Sequence, residues 1–302
     1  MTQATAQPSR HQATLALDAR ATLGECIRWD ERQKLIYWVD IPGRQLHRYD
    51  PATGRDDAMP LAQEMGCFAL AERGGFICGM RSGYARLDRF GGEFTSLASP
   101  DYDPARARFN DGRCDSAGRF WAGTMWEPRD RAGGIVYRLD ADGRFGAQCN
   151  PVIIANGITF APDGRSMTLA DTTNHVLWAF DYDLVTGIPS SRRELRSYEP
   201  ASGRPDGACV DAEGNVYVAI MAGGRVEKIS PTGELLALIE LPIPNITCCT
   251  FAGDDLRTLY ITTARTRMTD AELAAHPYAG GLFAWRLPDG DAPGIIEPRY
   301  AG

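Results

Sequence analysis

The chain of 302 residues carries 39 acidic and 32 basic side chains, a formal net charge of −7, and 44% of it is hydrophobic. That balance excludes the basic stripe of a nucleic-acid binder and gives no reason to dock on an anionic membrane, while the length suffices for a sizeable core. No apolar run approaches the ~18 residues of a membrane-crossing helix, the opening MTQATAQPSRHQ lacks the apolar stretch of a secretory signal, and 32 Gly and 19 Pro spread along the chain favour many short elements joined by turns.

In chain order, residues 1–12 read as a flexible segment and 13–302 as a single domain. Thr14–Asp18 (TLALD) is a first strand signal. Six copies of one unit follow, each a small or polar turn leading into a β-branched and aromatic run. They are Arg32–Asp40, Arg73–Met80, Gly118–Thr124, Gly164–Asp171, Gly214–Ile220 and Asp255–Thr263, with starts about 41 to 50 residues apart. Second turns fall between them at Asp50–Gly54, Asp140–Gly143, Asp183–Gly187 and Ser230–Gly233, where a third strand would turn into a fourth. A 40–50-residue period holding about four strands is a propeller blade. The fold predicted is therefore all-β, a six-bladed β-propeller, with Thr14–Asp18 lending a strand to the last blade and closing the ring. An irregular β-sandwich is the alternative, but it offers no reason for six phased copies. One helix interrupts the last blade: Met268–Ala275, with Thr269 as N-cap and Glu272 at N3.

The eight cysteines at 26, 67, 78, 114, 149, 209, 248 and 249 form no C-x-x-C, and most lie in apolar runs. They read as buried thiols of a reducing compartment, hence a cytoplasmic protein, rather than a disulfide framework.

Aligning the copies on the residues before each turn gives one position per blade at a common height on the innermost strand. Those positions are Glu25, Gly66, Asn110, Asn156, Asp206 and Thr247. Carboxylates and carboxamides converging in a channel are costly unless paired or bound to a cation. No Lys occupies the ring, and Arg108 lies two residues from it. An oxygen-only set suits a hard divalent cation. The same register also allows polar residues that cap the channel and hold water, and a slip of one residue would turn them away from the axis. The chain has no G-x-S-x-G elbow, H-E-x-x-H, P-loop or G-x-G-x-x-G after a strand, and its four His are scattered.

The residues so reached form a recognisable pattern. Leu23-Gly24-Glu25 with Trp29, Arg108-Phe109-Asn110-Asp111-Gly112, Gly118 to Met125 (GRFWAGTM), Asn156-Gly157 and Pro205-Asp206-Gly207 resemble the SMP-30/gluconolactonase family, regucalcin and bacterial aldonolactonases included, over about Thr14–Leu287. That family's fold is a six-bladed propeller. The resemblance implies metal ligands at Glu25, Asn156 and Asp206, and substrate contacts at Arg108 and Asn110. Glu127 is the nearest match to a further substrate-contacting Glu after the A-G-T-M motif. Glu25 is followed here by Cys26-Ile27, where many members carry Gly or Ser and then Pro, so the local loop geometry departs from the pattern.

The implied activity is that of a hydrolase acting on carboxylic ester bonds, a sugar lactonase of gluconolactonase or arabinonolactonase type. It would open a pentono- or hexonolactone to the aldonic acid in sugar catabolism. One divalent cation (Ca, Mn, Mg, Zn or Fe, with Ca favoured by the ligand type) would polarise the carbonyl, and Asp206 is the base expected to take a proton from the attacking water. The expected partner is the small lactone alone, with no nucleic acid or membrane, and oligomeric state is not legible. Trp126, Arg129, Asn174, His175 and Arg204 are the expected determinants of which sugar is taken. Two other readings are a calcium-binding regulatory or scaffold propeller without catalysis, and an esterase related to paraoxonase-like propellers.

Overall fold

The computed structural model describes residues 7–149 and 152–302. These residues form six sheets, five of four antiparallel strands and one of five that adds a parallel outer strand. Setting aside the two N-terminal strands, which join blades 5 and 6 from outside, the first strand of each blade is innermost: Gly24–Asp30, Met65–Leu70, Ala107–Cys114, Ala155–Phe160, Arg204–Val210 and Ile246–Ala252. These six touch one another in order around a closed ring, which makes the molecule a six-bladed β-propeller.

Burial falls from the axis outward, and the sequence explains the gradient. The six sequence copies form the second strand of each blade, such as Leu35–Asp40 and Val216–Met221, and are β-branched and aromatic because both their faces pack against neighbouring blades. Trp38, Trp121, Tyr217 and Phe283 are fully buried between blades. The outermost strands, such as Asp56–Pro60 and Ile188–Ser197, are polar and largely exposed. The four Asp- or Ser-led turns all join the third strand of a blade to its fourth, as their composition predicted.

The ring closes as expected. Thr14–Leu17 pairs antiparallel with Leu282–Arg286 as the outer strand of blade 6. Ser9–Gln12, inside the segment expected to lie outside the propeller, pairs parallel with Leu235–Glu240 and gives blade 5 its fifth strand. The helix is Asp270–Ala275, with Thr269 as N-cap and both halves of the capping box formed with Glu272. It lies in the loop between the second and third strands of blade 6. All eight cysteines are free, and the Cys209 and Cys249 sulfurs, 3.6 Å apart, stand too far from each other for a disulfide.

After Leu282–Arg286 the chain crosses the propeller face that carries the turns between first and second strands. Gly294 bridges to Asp211 and Tyr300 to Ala71. Arg299 pairs with Asp30 and Glu31. This C-terminal strap covers one end of the central channel, and the other end opens as a cavity.

Candidate functional site

Each innermost strand bulges at the aligned ring position. The ladder to the second strand slips between Glu25 and Arg28, Met65 and Cys67, Phe109 and Asp111, Asn156 and Thr159, Pro205 and Ala208, and Ile246 and Cys248. A bulge re-aims a side chain that a regular ladder would place between blades. Cys26, directly after Glu25, has φ 49°, and Gly157, directly after Asn156, has φ 54°. A non-glycine residue thus occupies in blade 1 the left-handed position that glycine fills in blade 4, at a strain cost of about 1–3 kcal/mol. This is how the chain accommodates its departure at Cys26. Gly66 holds the blade 2 position because a Cβ there would lie 1.9 Å from the Phe109 carbonyl oxygen.

Glu25, Asn110, Asn156 and Asp206 all line one cavity of about 440 Å³. Gly66 and Thr247 do not; the Thr247 hydroxyl is spent on the Gly24 carbonyl, 2.5 Å away. Glu25, Asn156 and Asp206 are buried. No Arg or Lys pairs with either carboxylate among the described residues. Burial, then the charges of Asp206 and Asp111, push the Glu25 carboxyl well above the ordinary carboxylate range. Burial and then Asp111 do the same to Asp206. Asp111 is a third buried carboxylate, held by the backbone N–H groups of Gly112 (2.8 Å) and Ile158 (3.2 Å). The charges of Arg108 on Glu25 and of Arg204 on Asp206 offset these shifts only in part, and crowded carboxylates without an ion-paired partner are what a bound cation relieves. Among the described residues no group of three or more His, Cys, Asp or Glu gathers in metal-holding geometry. A cation here therefore depends on the Asn156 carboxamide joining the two carboxylates.

A hydrogen-bond relay fixes that carboxamide. Arg108, a donor only, donates a hydrogen bond to Asn110 Oδ1 at 3.1 Å, so Asn110 Nδ2 donates to Asn156 Oδ1 at 2.8 Å. Asn156 Nδ2 donates to Thr172 Oγ1 at 2.8 Å, and that hydroxyl donates to the Pro205 carbonyl at 2.8 Å. The relay runs across blades 3, 4 and 5, and its polarity is set at both ends by groups with a single option.

Arg108 does not pair with Asp111 or Asp115. Its Nε lies 3.6 Å from Glu64 and 3.7 Å from Glu127. Burial lowers the Arg108 pKa, and those two carboxylates oppose the shift. Arg81 bridges the same pair, bonding Glu127 at 2.8 and 2.9 Å and also Glu64. The Arg81 hydrogen bond holds Glu127 below the ordinary carboxylate range despite its partial burial. Glu127 thus lines the cavity while tied to Arg81.

Of the residues expected to select the sugar, Arg129 and Arg204 line the cavity and Trp126, Asn174 and His175 do not. Trp126 is buried between the guanidinium groups of Arg106 and Arg131. The His175 ring Nδ1 lies 3.2 Å from the Gly203 carbonyl, a loop contact. Sequence reasoning missed Glu64, Thr172 and Arg267. Glu64 stands two residues before Gly66, as Arg108 does before Asn110 and Arg204 before Asp206. Side chains repeat every second residue along a strand, so reading the aligned register two residues toward the mouth would have found it.

A profile of the SMP-30/Gluconolactonase/LRE-like region matches residues 23–265. The 6-deoxy-6-sulfogluconolactonase of Pseudomonas putida is 44% identical over 93% of this chain and 96% of its own. Regucalcin of Gallus gallus is 36% identical over 94% of this chain and 96% of its own. Among solved structures, a calcium-binding protein, regucalcin, from Agrobacterium tumefaciens superposes with a TM-score of 0.92 at 26% identity, covering 98% of this chain and 100% of that one.

Proposed function

The chain belongs to the SMP-30/gluconolactonase/LRE-like family, and from that premise we propose that it hydrolyses a sugar aldonolactone, a pentono- or hexonolactone, with one divalent cation bound. The carrying observation is that Glu25, Asn156 and Asp206 arrive from three blades at one cavity wall, without a basic partner, beside Arg108 and Asn110. Those three side chains would hold the cation, and the oxygen-only donor set favours calcium. The bound cation would supply Lewis acidity to a carbonyl oxygen as negative charge grows on it.

The chain's own groups do the rest. Arg108 and Asn110, oriented by the relay, bind ring oxygens and hydroxyls and fix the lactone relative to Asp206. Asp206 takes a proton from the water that attacks the carbonyl carbon. The ring C–O bond breaks, and the departing ring oxygen takes up a proton to become a hydroxyl of the aldonate. A lactone is an activated ester, so no covalent nucleophile is required. Glu127 and Glu64 hold Arg81 and Arg108 in place and offer acceptors to sugar hydroxyls. Eight free thiols fit a reducing, cytoplasmic setting. No helix of the described residues is long and apolar enough to cross a membrane.

The test is acid release from a panel of aldonolactones, before and after chelation. We expect chelation to abolish turnover and added calcium or manganese to restore it. Undiminished turnover in cation-free protein overturns the cation's role, and silence on every lactone overturns the activity.

A further inference from the structure

A second set of charges lines the same cavity and has no place in the chemistry above. Arg129, Arg204 and Arg267 all border it. Arg129 and Arg204 are half-buried and Arg267 is exposed, whereas Glu25, Asn156 and Asp206 are buried. The three arginines therefore form the rim and the oxygen ligands the floor. Of the carboxylates lining the cavity, Glu64 and Glu127 are already engaged by Arg81 and Arg108, and Asp206, on the floor, feels the charge of Arg204 without pairing with it. Among the described residues none of the three rim arginines has a carboxylate within ion-pair distance or a side-chain hydrogen bond. They also feel one another: after burial, the charges of Arg267, Arg204 and Arg108 are what lower the Arg129 pKa. Three unpaired guanidinium groups facing one cavity, on a chain of net charge −7, is a costly local arrangement.

The rim is built, not loose. Arg129 and Arg267 sit on the loops between second and third strands of blades 3 and 6, and Arg204 starts the innermost strand of blade 5. The loop bearing Arg267 is anchored by the capped helix Asp270–Ala275, and Met268 and Leu273 pack on the core beneath it. Guanidinium groups held in advance over a cavity bind oxyanions through paired N–H donors.

We infer that Arg129, Arg204 and Arg267 form an anion subsite, and that the substrate is a sugar lactone carrying a second, fixed anionic group at the end remote from the lactone carbonyl. The group is a sulfonate, a phosphate or a carboxylate, three oxyanions a guanidinium cluster holds in common. The inference rests on the lactonase reading, in which the carbonyl sits over Glu25, Asn156 and Asp206 and leaves the far end of the sugar at the rim.

Two measurements on the cation-loaded full chain test it. The first compares kcat/KM for gluconolactone with that for its 6-sulfonate, 6-phosphate and 6-carboxylate counterparts at low and high salt. At least one charged lactone should exceed the neutral one by tenfold or more, mostly through KM, and salt should shrink the gap. Arg267→Ala and Arg204→Met should each cut the charged-to-neutral ratio about tenfold, as loss of one charge-assisted bond predicts. Arg267 is exposed, so its replacement leaves folding out of the comparison. The best of the three anions identifies the group.

The second measurement is calorimetric binding of 6-phosphogluconate, 6-deoxy-6-sulfogluconate and glucarate against gluconate, which needs no turnover. Tighter binding of any doubly anionic acid, lost in Arg267→Ala, supports the subsite even should no lactone be opened, and in that event only the lactonase reading falls. Equal binding of all four acids, or a ratio untouched by both substitutions, overturns the subsite.

Discussion

At the mouth of the channel, Glu25, Asp111 and Asp206 crowd three carboxylates together with no basic partner among the described residues. Further along two of the same strands, Arg28, three residues past Glu25, and Arg113, two past Asp111, are just as buried, yet Glu297 of the C-terminal strap answers both. It lies 3.2 Å from Arg28 Nε, ion-pairs with Arg113 and accepts from Thr250 Oγ1 at 3.1 Å. Arg113 also donates to the carbonyls of Ile158 (3.0 Å) and Ala208 (2.5 Å), and Arg28 to those of Ile27 (2.6 Å) and Gly112. One end has closed its electrostatics within the chain, and the other has left them for something from solution to complete. Burying a charge costs several kcal/mol unless it is paired, so the unfinished end is where a ligand gains most by binding.

Substitution separates the two ends. Asp206→Asn removes a carboxylate from an uncompensated cluster. Turnover should fall about a thousandfold, the scale of general-base loss, while the cation-free protein should melt no lower than the wild type. Initial rates of acid release and a thermal scan measure both. Wild-type turnover would remove Asp206 as the base, and a large fall in Tm would show the mouth to be structurally closed after all. Glu297→Gln should do the reverse. It strands two buried guanidinium groups, so stability should drop by about 3 kcal/mol, with turnover per folded molecule kept. Denaturant titration reads the loss.

The Glu297 contribution also has a pH signature. Burial opposes its ionisation, but Arg113 and Arg28 together outweigh burial and hold its pKa below the ordinary glutamate value. A depressed carboxylate stabilises fully above the unfolded-state pKa, about 4.3. That stability fades as the pH falls through the lower, folded value. The gap between wild type and Glu297→Gln should therefore be constant near neutrality and narrow only in acid below about pH 4. A gap that narrows instead toward alkaline pH would refute the ion-pair account.

The two ends were not equally legible. Phased copies fixed six blades, and aligning them picked out Glu25, Asn110, Asn156 and Asp206, because a channel imposes one register on all innermost strands. The second layer followed the same rule at two residues' remove, which makes Glu64 and Arg204 readable in principle. Arg267 and Thr172 sit in loops, where no period relates one blade to another, so their place in the cavity emerges only from the fold. The pairing of Glu297 with Arg28 and Arg113 was equally hidden. It joins residues as far apart in sequence as 28 and 297, through a strap that has no strand pattern of its own. The strand Ser9–Gln12 escaped for a related reason: SRHQ is polar, and its place is set by the edge of blade 5 rather than by its own composition.

The smallest effect expected comes from the residue that joins the two kinds of order. Thr172 meets no charged group, yet its hydroxyl is the step that turns Asn156 Nδ2 away from Asn110 and leaves Asn156 Oδ1 among the oxygen ligands. In Thr172→Val the isosteric side chain keeps the packing. The Pro205 carbonyl then loses its donor and Asn156 Nδ2 its acceptor, which leaves Asn156 oriented from the Asn110 side alone. Partners that orient a ligand typically contribute ten- to hundredfold in affinity, so the midpoint of calcium activation should rise about tenfold, close to 1.4 kcal/mol. Turnover at saturating calcium should recover most of its wild-type value, since the floor carboxylates and Arg108 are untouched. Serine at this position should restore the midpoint, because it returns the hydroxyl without the methyl. An unchanged midpoint in Thr172→Val would mean that Asn156 needs no help to face the carboxylates, and would leave the relay as packing rather than positioning.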